Sequence, residues 1–191
     1  MIKETHERGG YIFALLILPF INNLYLVKYD IAYKIVLIII YIYFAYLGSL
    51  FPDIDMRGSY ISKKFMLIYK LFGSRFRHRG FTHSLIALLL IYSFFKSLTI
   101  FTNNNIVFSC LSSGFIIGYL SHLCLDLITK EGIELFYPIT INISLLPIKT
   151  NSKTEKFISK LLNFIVIFLI GYQFYICLLY TSDAADDMQC V

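Results

Sequence analysis

Five long apolar runs alternate with polar connections along the chain: Tyr11 to Val27, Ile31 to Leu50, Leu85 to Phe101, Ile106 to Ile128 and Phe157 to Tyr180. A helix needs roughly 17–25 predominantly apolar residues to cross a bilayer's hydrocarbon layer. The pattern therefore predicts an all-α, polytopic membrane protein with four to five transmembrane helices, folded as a single domain over residues 1–180. The first run is the weakest. Pro19, Asn22 and Asn23 interrupt it, which predicts a kinked, tilted or partly re-entrant segment. The second run ends in Phe51-Pro52-Asp53-Ile54-Asp55, where a proline is compatible with a helix stop. Residues 56–77 place an apolar stripe (Phe65, Met66, Ile68, Tyr69, Leu71, Phe72) between Lys63, Lys64 and Lys70. That arrangement predicts an amphipathic helix at a membrane surface. Residues 129–156 read as a mixed loop with Pro138 and Pro147. There is no internal repeat.

Composition supports the membrane reading and narrows it. Of 191 residues, 58% are hydrophobic and 15% are charged, where a soluble domain carries about 25% charged residues. There is no Trp, and the 15 Tyr are available as interfacial anchors. The +5 net charge is not a nucleic-acid signal, because the basic residues lie between apolar runs; no direct nucleic-acid binding is expected. Cys110, Cys124, Cys177 and Cys190 show no CxxC spacing, and three of them lie in apolar runs. Free thiols are expected rather than disulfides or a thiolate zinc site. No cleavable signal peptide is expected. Residues 181–191, Thr-Ser-Asp-Ala-Ala-Asp-Asp-Met-Gln-Cys-Val, break the style of the chain. They read as a non-native tail, like translated sequencing-adapter read-through, with the true C-terminus missing.

Charge then gives orientation. With five spans and a cytoplasmic N-terminus, fourteen of the 17 Lys and Arg fall on the cytoplasmic side and only Lys28, Lys34 and Lys96 on or near the other, as the positive-inside bias requires. The same topology carries His6, Asp53, Asp55, His78, His83, His122 and Asp126 to one membrane face, although no single motif demanded that agreement.

These residue types have a common chemistry. His78-Arg79-Gly80-Phe81-Thr82-His83-Ser84 sets two imidazoles at the mouth of an apolar helix, with Thr82 or Ser84 as its N-cap and Gly80 allowing a bend. His122 and Asp126 stand at i and i+4, on one helical face, a spacing that lets two side chains hold one metal ion. Asp53 and Asp55 point the same way if their segment is extended. Mixed nitrogen and oxygen ligands without thiolate fit Zn²⁺ first, with Mn²⁺ or Fe²⁺ as alternatives. Four His and three Asp suffice for more than one ion, and paired ions suit phosphoester hydrolysis. Blander readings stand beside this one. His6 can be merely solvated, Asp53 and Asp55 can cap a helix end, and His78 and His83 can join Arg75, Arg77 and Arg79 in anchoring lipid headgroups. His122 and Asp126 can form a metal-free hydrogen bond, although ionisable groups inside a span usually mark function. Glu131 and Glu134 read as solvated loop charges. Arg79 is a candidate to bind a substrate phosphate or an anionic lipid.

Leu50-Phe51-Pro52-Asp53-Ile54-Asp55, then His78 to Ser84, then Gly118-Tyr119-Leu120-Ser121-His122 with Asp126, Thr129 and Gly132, resemble the YdjM-like family over roughly residues 1–160. The early His6 fits that pattern too. The resemblance implies a membrane-bound, metal-dependent hydrolase of the bacterial inner (cytoplasmic) membrane, described in some members as LexA-regulated or LexA-binding. More distantly, the His122/Asp126 pair is similar to the HxxxD pairs of zinc-dependent phospholipase C and P1-type nucleases, which implies phosphoester hydrolysis on a helical scaffold.

The leading expectation is thus a metal site at the cytoplasmic face that draws on His6, Asp53, Asp55, His78, His83, His122 and Asp126. Asp55 is the candidate general base or bridging ligand, and Arg79 the stabiliser of substrate charge. A lipid or other phosphoester at the membrane surface is the expected substrate. The alternative is a non-enzymatic membrane protein in which the basic segment 57–79 docks anionic lipid or a cytoplasmic regulatory partner and the His/Asp cluster is a structural metal clip. A transporter fits less well, because the polar groups lie at span ends rather than at mid-membrane.

Overall fold

The computed structural model describes residues 1–71 and 73–187, with side chains described as far as residue 176. Phe72 of the expected apolar stripe, and residues 188–191 of the expected tail with Cys190, lie outside the described residues. Helices dominate: α1 (Lys3–Ile21), α2 (Ile31–Leu50), α3 (Tyr60–Lys64), α4 (Met66–Leu71), α5 (Leu85–Phe101), α6 (Ile106–Leu127) and α7 (Lys153–Asp187). Among the described residues no strand forms, only two isolated bridges, Thr129 with Ile148 and Ile133 with Ile143.

Among the described residues, four stretches are long and apolar enough to cross a membrane: Lys3–Leu26, Ile31–Asp55, Ile106–Leu127 and Lys153–Ile176. The first of these differs from the expectation. The chain is already helical at Lys3, because Thr5, His6, Gly9 and Gly10 are buried rather than solvated. Pro19 sits inside the helix, and a wide π-turn over Asn22–Leu26 carries it to full spanning length. The short member is α5, whose 17 residues reach about 25 Å. The surface segment also differs: in place of one amphipathic helix, α3 and α4 are short and separated at Phe65.

Small residues set the packing that matters for the site. Helices in lipid gain little from apolar burial and associate where backbones approach closely, typically along a G-x-x-x-G stripe. Gly114 and Gly118 form such a stripe on α6. A Cβ on Gly118 would lie 2.0 Å from the Ala45 carbonyl oxygen of α2, and one on Gly114 would lie 2.2 Å from that of Tyr41. On α1, a Cβ at Gly10 would meet Ser49 of α2 at 2.6 Å, and one at Gly9 would meet Leu125 of α6 at 2.4 Å. The three helices therefore converge. Above the polar end, Leu37, Tyr41, Ala45 and Cys110 pack with the apolar face of α1. Around it, Leu50, Ile54, Tyr119, Leu123 and Ile133 form a second cluster. Ile39, Leu89, Phe94, Phe164 and Phe168 point outward from the bundle, as lipid-facing side chains should. Cys110 and Cys124 are free thiols.

Helix α7 closes the bundle against α1. Gln173 Nε2 donates to the Leu15 carbonyl at 2.9 Å, Arg8 donates to the Ser159 carbonyl at 3.0 Å, and the buried Glu155 accepts from the Ile2 N–H at 2.6 Å. The loop between α6 and α7 is ordered by backbone bonds. Ile133 and Ile143 exchange two of them, Lys130 N–H donates to Ile148, and Leu145 N–H donates to Leu127. Gly132 makes the turn at φ +61°, where a Cβ would meet the Ile143 carbonyl at 2.4 Å.

Candidate metal centre

Each predicted site residue arrives at one end of the bundle. His6 comes from the first turns of α1, and His122 and Asp126 from the last turns of α6. Asp53 and Asp55 come from a 3₁₀ turn, Phe51–Asp55, that continues α2. His83 ends a second 3₁₀ turn, Phe81–His83, and Ser84 then caps α5 by accepting from the Ala87 N–H at 3.2 Å. The 3₁₀ geometry corrects the extended reading of Asp53 and Asp55. With three residues per turn, i and i+2 do not share a face, so the two carboxylates have different partners.

Asp55 faces its own chain. Its Oδ1 lies 2.8 Å from His78 Nδ1, and its Oδ2 accepts from the Arg79 N–H at 3.2 Å and from the Thr82 hydroxyl. Arg79 takes a left-handed backbone, φ +68°, uncommon for a residue with a side chain. Its N–H on Asp55 and its carbonyl, which accepts from the Glu134 N–H at 3.1 Å, hold that conformation. Tyr119 of α6 donates to the Thr82 carbonyl and fixes the same turn from behind.

Asp53 faces the other helices. Its Oδ1 is 3.8 Å from Nε2 of both His83 and His122, while Asp126 Oδ2 is 3.6 Å from the same two nitrogens. His6 Nε2 lies 3.3 Å from Asp126 Oδ1, and the His6 ring stacks on His122 with centroids 3.7 Å apart. The Met1 amine also lies 2.7 Å from Asp126 Oδ1. Among the described residues, three groups have ligand atoms within 4.8 Å of one another: His6 with Asp53 and His122, Asp53 with His78 and His83, and His83 with His122 and Asp126. Asp53, His83 and His122 each belong to two of them.

The hydrogen-bond network assigns the tautomers. His122 Nδ1 sits 2.7 Å from the Ser49 carbonyl, which only accepts, so Nδ1 carries a proton, and in the neutral ring Nε2 then has the lone pair. The Thr82 hydroxyl has one proton and gives it to the Asp55 carboxylate. Thr82 Oγ1 must then accept from His83 Nδ1, 3.0 Å away, which leaves His83 Nε2 with a lone pair as well. The two Nε2 atoms face each other at 3.2 Å. Two lone pairs at that distance repel unless a cation or a proton lies between them. His6 adds to the deficit: its buried Nδ1 has no hydrogen-bond partner, and its Nε2 meets only Asp126 Oδ1, at 3.3 Å. Buried polar atoms are otherwise almost always satisfied. Orphaned imidazole nitrogens ringed by carboxylates, with the outer nitrogens anchored on oxygen acceptors, fit a divalent ion with N/O ligands.

The surroundings give access and charge. A cavity of about 490 Å³ borders the centre and is lined by Asp53, His78, Arg79 and Lys3 against Leu50, Met56 and Tyr60. Arg79 reaches Glu131 Oε2 at 2.7 Å and Asp126 Oδ2 at 3.5 Å. Burial would lower the basicity of His78, but the hydrogen-bonded Asp55 carboxylate, with Asp53 nearby, raises it above the ordinary value.

The residues matched by comparison with known proteins run through this whole arrangement. A family model described as YdjM inner membrane protein matches residues 1–182. The chain belongs to that family. Among curated relatives, the uncharacterized protein YvsG of Bacillus subtilis is 42% identical over 112 residues, 58% of this chain and 66% of the relative. Inner membrane protein YdjM of Escherichia coli is 35% identical over 95 residues, 49% of this chain and 47% of the relative; the Shigella flexneri protein of the same name matches to the same extent. The chain thus spans about half to two thirds of the length of these relatives. No solved structure matches. Membership of the YdjM family, with four apolar spanning helices, makes the protein an integral protein of the inner membrane.

Several contributors were not identified from the sequence. Glu134, read as a solvated loop charge, is buried and paired with the exposed Arg77. Ser49 supplies the carbonyl that orients His122, and Tyr119 secures Thr82. The signal for Ser49 was present in Gly114-x-x-x-Gly118, which brings α6 onto α2 one turn before His122.

Proposed function

We propose that this protein is a metal-dependent hydrolase acting on a phosphoester, lipid or lipid-linked, at the cytoplasmic surface of the inner membrane. The observation that carries the reading is the pair of Nε2 atoms of His83 and His122, 3.2 Å apart and ringed by Asp53, Asp126 and His6. Asp53, His83 and His122, each shared by two of the three ligand groups, would hold one or more ions together with His6, His78 and Asp126. Zn²⁺ is the first choice, and Mn²⁺ or Fe²⁺ suit the same donors. The bias of lysine and arginine toward the end bearing the site supports a cytoplasmic position for that end and for the N-terminus.

A divalent ion bound there supplies a Lewis acid and a water acidic enough to attack near neutral pH. The chain does the rest. Asp55 is saturated by donors of its own chain, so in this reading it positions His78, Arg79 and, through Thr82, His83, rather than acting as a base. Asp53 is the carboxylate that remains available between the ligand groups. The Arg79 guanidinium borders the cavity and is the donor for a phosphoryl oxygen, assisted by Lys3. The apolar wall of Leu50, Met56 and Tyr60 accommodates the apolar part of an amphiphile.

The test is hydrolysis of phosphate-ester lipids by the purified protein in liposomes, with Zn²⁺ or Mn²⁺ and with chelator. Activity should require metal and fall about 100-fold or more in Arg79→Gln. Absence of hydrolysis with every divalent ion contradicts the reading.

One observation favours a second reading. His6, His83 and His122 are fully buried, as ligands of a structural metal clip would be. In that case the basic segment docks anionic lipid or a cytoplasmic regulatory partner. Charge reversal at Lys63, Lys64 and Lys70 would then abolish function.

A further inference from the structure

The loop between α6 and α7 contains fourteen consecutive residues, 135–148, without a single charge: Leu-Phe-Tyr-Pro-Ile-Thr-Ile-Asn-Ile-Ser-Leu-Leu-Pro-Ile. Loops that face water are not composed this way, and these residues do not bury themselves. Phe136, Ile139, Ile141, Leu145 and Leu146 are all exposed, Ile141 at 59% and Leu145 at 67%. Nor is the segment loose. The bonds between Ile133 and Ile143, from Lys130 to Ile148 and from Leu145 to Leu127 pin its base. Tyr137 N–H donates to Glu134 and Ile139 N–H to Phe136 within the tip. The structure is therefore an ordered projection with an apolar tip.

Its position states what covers that tip. The loop leaves α6 and returns to α7, both of spanning length, so its base lies at the level of the bilayer surface. It also touches the mouth of α5, whose Leu85 N–H donates to the Leu135 carbonyl at 3.0 Å. Exposed lysines flank the segment, Lys130 on one side, Lys149, Lys153 and Lys156 on the other, with Glu131 and Glu134 on the first side turned to Arg79 and Arg77. An apolar tip between lysines matches the layering of acyl chains beneath anionic headgroups.

We infer that residues 136–146 form a membrane-inserted tip that enters the bilayer leaflet at the end of the bundle bearing the candidate metal centre, with Lys130, Lys149 and Lys153 on the headgroups above it. The tip goes to interfacial depth, about 5–10 Å, because non-helical backbone groups must stay near water or their own partners. The same loop begins with Glu131, which grips Arg79, and Glu134, which pairs with Arg77. Its position in the leaflet thereby sets the wall beside the cavity. The inference rests on the membrane placement of the helices and not on hydrolysis, so it stands or falls separately from the proposed activity.

The absence of native Trp makes the test direct. Ile141→Trp and Leu145→Trp, each at an exposed site, are reconstituted in phosphatidylcholine–phosphatidylglycerol vesicles with and without acyl-chain-brominated lipid. Phe168→Trp, on the outer face of α7, is the lipid reference, and N-acetyltryptophanamide free in the same buffer the water reference. The expected result is bromine quenching of both tip positions close to that of Phe168→Trp, with protection from aqueous iodide. Solvent-like emission quenched by iodide and not by bromine would overturn the inference. Blue-shifted emission insensitive to both quenchers would also overturn it, because a second copy or another protein would then cover the tip. If only one tip variant reconstitutes, that variant decides.

Discussion

The two halves of the candidate centre are built by different physics. His6, His122 and Asp126 sit on regular helices and are aimed by the close approach of α1, α2 and α6 at glycines. Asp53, Asp55, His78, Arg79 and His83 sit on 3₁₀ turns and loops and are aimed by hydrogen bonds, most of which converge on the Asp55 carboxylate. In the first half a side chain is placed by where the backbone lies. In the second the backbone is placed by what the side chains hold, down to the left-handed Arg79. Damage should accordingly be global in the helical half and local in the loop half.

Gly118→Leu should have the largest effect. Its side chain would drive into the Ala45 backbone, which cannot yield as a flexible side chain would. A loss of about 3 kcal/mol or more is expected, read as a large fall in thermal stability in detergent. Retention of wild-type stability would show that α2 and α6 do not depend on this contact.

Asp55→Asn comes next. It keeps the shape but weakens the acceptor that serves His78, the Arg79 N–H and Thr82. The expected cost is about 1–3 kcal/mol, with a 10–100-fold drop in metal affinity through the misoriented imidazoles. Hydrogen exchange should rise over residues 76–84 while α2 and α6 stay protected. Equal loosening of the helices would erase the distinction between the two halves.

Glu131→Gln should be the mildest, since Glu131 is 59% exposed where it meets Arg79. An ion pair of that kind contributes under about 1 kcal/mol, so thermal stability should hardly move. Freed from this carboxylate, Arg79 should bind a phosphate-bearing amphiphile more tightly. Unchanged or weaker binding would show that Glu131 does not compete for the guanidinium.

The same division explains what could be read from the sequence. The spanning helices follow from apolar run lengths, and the His122/Asp126 face follows from i, i+4 spacing, because helical geometry is fixed by the period alone. The beginning of α1 was hidden because Thr5 and His6 look polar and solvated until α6 is packed against them. In the loop half the residue types were legible but the directions were not. Asp53 and Asp55 looked parallel on an extended chain and diverge on a 3₁₀ turn. Glu134 looked solvated until the turn at Gly132 folded it under Arg77. Tertiary hydrogen bonds decide such positions, and no local pattern announces them.

The most direct test of a metal centre shared between the two halves is elemental mass spectrometry of detergent-purified protein, wild type beside His122→Ala and His78→Ala. His122 belongs to two of the three ligand groups and His78 to one. Stoichiometric metal is expected in the wild type, with a larger loss in His122→Ala, which removes a ligand from two groups, than in His78→Ala, which removes one from a single group. Wild-type protein that carries no metal when purified without chelator, and takes up none from added Zn²⁺ or Mn²⁺, would contradict it.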